Sequence, residues 1–179
     1  LYSVAVQLSE VWYFIPVLIT SSLFPAIVSA KKISEKLYYE RLQRLYGFLI
    51  WIAIGIALVI TFTGNYIIAI MYGKAYYEAS SVLKLYVWSG VFVFLGVASS
   101  KWYITENLQK ISTFNTIIGA GLNIILNFLL IDRYGSKGAA LSTLLSYSIA
   151  AFFMNLANNQ TRNNFKLILF SLLSKRSFF

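Results

Sequence analysis

The chain has 179 residues, of which 59% are hydrophobic and 12% charged, with a net charge of +9 and neither Cys nor His. A composition this apolar lies outside the range of soluble domains. The missing residue types exclude a disulfide framework, a thiolate metal site and the commonest general base, and in such a chain surplus Lys and Arg report membrane topology before nucleic acid.

Uncharged runs cover residues 11–30, 45–73, 85–100, 111–131 and 138–161. A helix of roughly 20 mostly apolar residues crosses the hydrocarbon core of a bilayer, so these runs predict an all-α polytopic membrane protein with five transmembrane helices. The first is expected at about residues 4–30, with Gln7 and Glu10 inside it and a bend from Pro16 and Pro25, each of which lacks a backbone donor. The second, at about 45–70, is the cleanest hydropathy signal, although Gly64-Asn65 offers an early end. The third spans about 82–104, with Lys84 just inside one end and Trp102-Tyr103 anchoring the other at headgroup level. The fourth and fifth are expected at about 112–131 and 138–157. Between the first two, residues 31–44 place Ile33, Leu37, Tyr38, Leu42 and Leu45 at near-helical spacing among basic residues, the pattern of a helix lying in the membrane interface. The tail, 158–179, reads as a second amphipathic piece bounded by Lys166 and Lys175-Arg176.

Lys31, Lys32, Lys36, Arg41, Arg44, Lys101, Lys110, Arg162, Lys166, Lys175 and Arg176 fall on one side of these spans, against Lys74, Lys84, Arg133 and Lys137 on the other. The positive-inside rule makes the first side cytoplasmic, with the C-terminus inside and residues 31–44 and 158–179 on that face. The chain begins Leu-Tyr-Ser-Val, without an initiator Met or a charged segment ahead of the first run, and is read as a fragment whose N-terminal part is missing.

Ionisable groups inside a membrane helix cost several kcal/mol and usually meet a cavity or a partner. Glu10, with Gln7 one turn away, is either a protonatable or cation-binding group lining a hydrated vestibule or a carboxylate at the outer headgroup level, or else is paired with Lys84. Lys84, on one face with Trp88, either receives a phosphate or an acidic sugar, with the indole offering a ring face to sugar, or snorkels to the interface. Asn115, Gly119, Asn123 and Asn127 recur at steps of four on the fourth helix, and Gly138, Ser142, Ser146 and Ala150 on the fifth. Such stripes pack two helices as an antiparallel hairpin around Asp132 and Lys137, or else turn Asn123 and Asn127 toward a polar translocation path. The six acids (Glu10, Glu35, Glu40, Glu78, Glu106 and Asp132) are scattered singly, and no Gly-rich phosphate loop is present, so no catalytic or metal site and no cofactor is expected.

The stretches LYSVAVQLSEVWYFIPVLITSSLFPAI (1–27), MYGKAYYEASSVLKLYVWS (71–89) and NTIIGAGLNIILNFLLIDRYGSKGAALSTLLSY (115–147) resemble polysaccharide flippases of the multidrug/oligosaccharidyl-lipid/polysaccharide exporter superfamily. These are the O-antigen and capsule repeat-unit transporters of surface polysaccharide and lipopolysaccharide biosynthesis. Order and spacing are similar to the C-terminal part, from the eighth helix to the twelfth. The resemblance implies a twelve-helix, two-lobe transporter of the bacterial inner membrane that moves an undecaprenyl-diphosphate-linked oligosaccharide outward by ion-coupled alternating access. Its partners would be that lipid-linked oligosaccharide, membrane lipids, the missing N-terminal lobe, and polysaccharide polymerase and chain-length machinery, with no nucleic acid. Lys84, Trp88, Asn123 and Asn127 are the substrate-path candidates, and Glu10 and Gln7 the coupling candidates. A multidrug exporter of the same superfamily and a membrane-embedded polymerase or ligase are the alternatives.

Overall fold

In the computed structural model, which describes residues 1–173, every regular element is helical, and five spans are long and apolar enough to cross a membrane. The first span is α1 (Tyr2–Glu10), a 3-10 turn at Val11–Tyr13, and α2 (Phe14–Ile33). The interruption falls one turn ahead of Pro16, whose missing N–H deprives the Trp12 carbonyl of its helical donor. Pro25, by contrast, sits inside α2 without breaking it.

Ser34, in extended conformation, separates α2 from α3 (Glu35–Met71), which runs unbroken for 37 residues. At 1.5 Å per residue that is about 55 Å, well beyond a hydrocarbon core of about 30 Å. The basic stretch 31–44 is not a helix of its own. Its first residues finish α2, and the rest is the opening of α3, where Tyr38, Leu42 and Leu45 are buried in the bundle. The apolar spacing was real, but it marks a packed face of a continuous helix. Gly64 does not end α3 either. It provides room for the next span, whose Leu83 and Lys84 side chains would lie 3.6 Å from a β-carbon at that position.

The third span is α4 (Ala79–Tyr86) and α5 (Ser89–Thr105), divided at Val87–Trp88. The fourth is α6 (Gln109–Tyr134). The fifth is α7 (Ser136–Ser148), a π-helical turn at Ile149–Phe153, and α8 (Met154–Ala157). Three inter-span turns use left-handed backbone at Gly73, Asn107 and Gly135, a conformation that Gly adopts freely and Asn tolerates.

α3 is the axis of the bundle, touching α2, α4, α5 and α9 (Arg162–Leu173). Its N-terminal half builds one apolar cluster with Ile27, Phe94, Leu95, Trp102 and Ile168, and its C-terminal half another with Ala5, Val82, Leu83 and Tyr86. α9 buries Asn164, Ile168 and Ser171 against this bundle and leaves Arg162, Lys166 and Phe170 exposed. Lys175 and Arg176 of the expected tail lie outside the described residues. α6 stands at the edge, with Phe128 78% and Ile117 62% exposed, as suits a helix that meets lipid along most of its length.

The α2, α3 and α5 ends meet at a charged clamp. Lys31 Nζ lies 3.0 Å from Glu106 Oε1 and donates to the Thr105 carbonyl at 3.0 Å, while the Tyr38 hydroxyl donates to Glu106 Oε1 at 2.8 Å. A cation at the C-terminus of α5 also complements the helix dipole.

α6 and α7 form a tight antiparallel hairpin through small residues. A β-carbon on Gly138 would strike the Leu130 carbonyl, and one on Gly119 would come within 2.7 Å of the Ala150 β-carbon. Without a hydrophobic driving force between helices in lipid, this close approach supplies the attraction. Gly119→Leu should therefore separate the hairpin at a cost of about 1–3 kcal/mol or more. The measurement is thermal unfolding in detergent against the parent chain, and an unchanged midpoint would remove this contact from the packing of the fold.

Candidate functional site

α5 and α6 diverge above the fifth span, leaving a groove floored by Tyr147, Ala150 and Ala151. Two adjoining cavities of about 540 and 500 Å³ share Val93, Thr116 and this floor. Both fall within the usual size of ligand sites. Along α6 the groove runs from Ser112 to Ile124, about 18 Å at the helical rise. Phe92, Val93, Val97 and Ile124 make it apolar, whereas Ser100, Ser112, Asn115, Thr116 and Asn123 set a polar track along it. Ala150 and Ala151 of the floor lie in the π-helical turn, where the extra residue re-aims the chain, and such turns recur at functional sites.

A polar ladder climbs away from the groove. Asn127 Nδ2 donates to Asn123 Oδ1 at 3.0 Å, and Asn123 Nδ2 reaches Thr143 Oγ1 at 3.5 Å. Thr143 Oγ1 gives its own proton to the Ala139 carbonyl, so the Tyr2 hydroxyl, 3.4 Å away, is the donor to it. The Tyr2 ring stands edge-on to Tyr86 with centroids 5.8 Å apart, and the Tyr86 hydroxyl donates to Glu10 Oε1 at 3.0 Å. Glu10, Asn123 and Asn127, proposed separately from three sequence signals, are thus joined through Tyr2, Tyr86 and Thr143. Asn127 Oδ1 is buried and receives no hydrogen bond, an acceptor left open at the end of the ladder. Tyr147 belongs to both features, lining the groove and interacting electrostatically with Glu10.

Lys84 and Trp88 are placed elsewhere. The Lys84 stem lies along Gly64 of α3, and Trp88 packs on the apolar cluster around Leu83 and Val87, so neither lines the groove. Glu10 and Lys84 do not pair; the one ion pair among the described residues is Lys31 with Glu106. Gln7 is on the exposed side of α1, one turn before Glu10.

Sequence reasoning missed the buried amide cluster at the lower end of the groove. Asn155 Oδ1 accepts from the Tyr103 hydroxyl at 2.9 Å and from Asn164 Nδ2 at 3.0 Å. Asn164 Oδ1 accepts from the Tyr46 hydroxyl at 2.6 Å, and Asn115 Nδ2 donates to Tyr103 at 3.1 Å. This knot ties α3, α5, α6, α8 and α9 beneath the groove. Its signal was available, since Tyr46, Tyr103 and Asn155 lie within the expected spans, where hydroxyls and amides require partners.

The chain matches the family model described as "Lipid II flippase MurJ" over residues 2–178. It belongs to the MurJ family. That family comprises transporters rather than enzymes, and the five spans make this a multi-pass membrane protein. The chain is 28% identical to a Staphylococcus aureus protein named "Capsular polysaccharide biosynthesis protein CapF" over 134 residues, 74% of the chain and 34% of that relative. It is 26% identical to "Uncharacterized membrane protein MJ1068" of Methanocaldococcus jannaschii over 135 residues, 73% of the chain and 26% of that relative. The chain therefore matches about a third and about a quarter of the length of these two curated relatives. No solved structure matches.

Asn155→Leu keeps the volume but strands the Tyr103 and Asn164 donors, each at a cost of about 1–3 kcal/mol. It should lower the unfolding midpoint far more than the exposed Asn163→Leu on α9, as measured by thermal scanning of both variants. Equal midpoints would show that water reaches the knot.

Proposed function

We propose that this chain is the C-terminal part of a flippase in the bacterial inner membrane that moves undecaprenyl-diphosphate-linked oligosaccharide repeat units outward for surface polysaccharide. The observation that carries this reading is the groove, because one surface offers apolar walls open toward the lipid and a polar track for hydroxyl-rich cargo. A polyprenyl chain stays in hydrocarbon while its sugars need hydrogen-bond partners, since polar groups left unpaired in lipid cost several kcal/mol each. Family membership supports a lipid-linked cargo, and the printed name of the S. aureus relative favours a capsule-type sugar.

Asn123 and Asn127 are the contacts for the sugar within this reading. Glu10 is the coupling group, since it is the carboxylate of the ladder that ends at those amides. Lys84 and Trp88 do not line the groove, so this reading gives them no part in the substrate path. Alternating access requires a second lobe, and polymerase and chain-length proteins act on the exported unit. The basic end of the bundle is cytoplasmic, together with the C-terminus, by the distribution of Lys and Arg.

Asn123→Leu in the complete protein should abolish complementation of a flippase-deficient strain at normal protein levels, whereas Lys84→Ala should complement fully. Surface polysaccharide is the readout, and full complementation by Asn123→Leu would take the groove out of the transport path.

Orientation has its own check in a chain without native Cys. A Cys at Ser34 should react with an impermeant maleimide only after the cytoplasmic face is opened, and one at Ser136 should react in intact cells. The reverse pattern would invert the topology.

A further inference from the structure

Two of the five spans are interrupted at the same place in the bundle, and the interruptions are stitched to each other. Glu10 precedes and Tyr13 ends the break between α1 and α2, and Tyr86 and Ser89 flank the break between α4 and α5. Across the gap the Tyr86 hydroxyl donates to Glu10 Oε1 at 3.0 Å, and the Tyr13 hydroxyl lies 3.5 Å from Ser89 Oγ. Ser89 Oγ gives its proton to the Tyr86 carbonyl at 2.7 Å, covering an acceptor that the break has freed. Tyr13 is then the donor to Ser89. The Tyr13 ring also lies 3.5 Å from where a β-carbon on Gly90 would stand, so the two breaks are in direct contact.

We propose that Glu10 is a proton-binding site whose occupancy sets the bend of the first and third spans together. This rests on the coupling role given to Glu10 above and names how that role would act. A hydrogen bond to an ionised carboxylate is roughly twice as strong as one to a neutral group. When Glu10 is charged, Tyr86 holds the two breaks together. When a proton from solvent adds to the carboxylate, Tyr86 keeps its own proton but faces a weaker acceptor, and the strut slackens at both breaks. Discontinuous helices already lack part of their backbone ladder, so bending there costs less than bending an intact helix. The titratable groups around Glu10 are Tyr13 on its own span, Tyr86 on α4 and Tyr147 on α7, with Tyr2 beside them; Lys84 of α4 lies along α3 instead. Tyr86 touches Tyr2, which bonds Thr143 and through it Asn123 of the groove, so the strut is linked to the proposed substrate path.

The test reads bending directly and needs no cargo. Spin labels at Ser3 and Leu18 bracket the first break across about 22 Å of helix, and labels at Ser81 and Val97 bracket the second across about 24 Å. Labels at Phe114 and Phe128 on the unbroken α6 are the control. In lipid nanodiscs, electron–electron resonance distances should shift for both bracketing pairs on acidification and stay fixed for the control. Glu10→Gln should hold both pairs near their acid values at every pH, and Tyr86→Phe should do the same while leaving Glu10 in place. A pH shift that survives in Glu10→Gln, movement of only one pair, or Tyr86→Phe behaving as the parent would each overturn the proposal. If the strut titrates as described but Asn123→Leu still complements, the flippase path is wrong and the hinge stands. If Asn123→Leu fails to complement while neither pair moves, the path stands and the hinge is wrong.

Discussion

Inside a bilayer, a backbone or side-chain polar group has no water to turn to, and most of the particular features of this molecule answer that constraint. Pro16 withdraws a donor from the first span, and the chain responds with a 3-10 turn one helical turn earlier. The third span breaks at Val87–Trp88, and the Ser89 hydroxyl covers the Tyr86 carbonyl left behind. The fifth span takes up an extra residue as a π turn, followed at once by Asn155, whose amide closes a knot of five elements. A hydroxyl meets the break in the third span, and an amide meets the turn in the fifth, where Asn155 donates to the Ala151 carbonyl.

Packing follows a different rule from that of a soluble core. Lipid tails are as apolar as Leu, so burial of Leu and Ile gives helices little reason to associate, and contact depends on close approach at small residues. Gly119 against Ala150 and Gly138 against the Leu130 carbonyl hold α6 to the fifth span. α6 touches α5 much less, and the groove is the space left between them. The small-residue stripe therefore closes one side of α6 and, by holding it off α5, opens the other.

Much of this was legible in the sequence. The five spans follow from apolar runs, because a bilayer tests each segment separately and length with hydropathy suffices. The Asn and small-residue stripes were visible for the same reason, since helical spacing alone places them on one face. Membership of a flippase family was foreshadowed by the three quoted stretches. Periodicity could not tell an interfacial helix from the packed opening of a long one: residues 31–44 carry the same apolar spacing in either case, and the choice was made by α5 and α9 covering Tyr38, Leu42 and Leu45.

Which polar residues meet is a tertiary matter. Glu10 and Tyr86 are 76 positions apart and Tyr2 and Thr143 are 141 apart, so no local pattern could join them. Lys84 and Glu10, which the sequence offered as a possible pair, are separated by the rotation of α4, which turns Tyr86 toward α1 and Lys84 toward Gly64. Sequence by itself determined what each helix is, because propensity and transfer to lipid act on one segment at a time. Only the tertiary structure decided what the polar groups do, because hydrogen bonds between helices depend on rotation and depth, which a single helix leaves free.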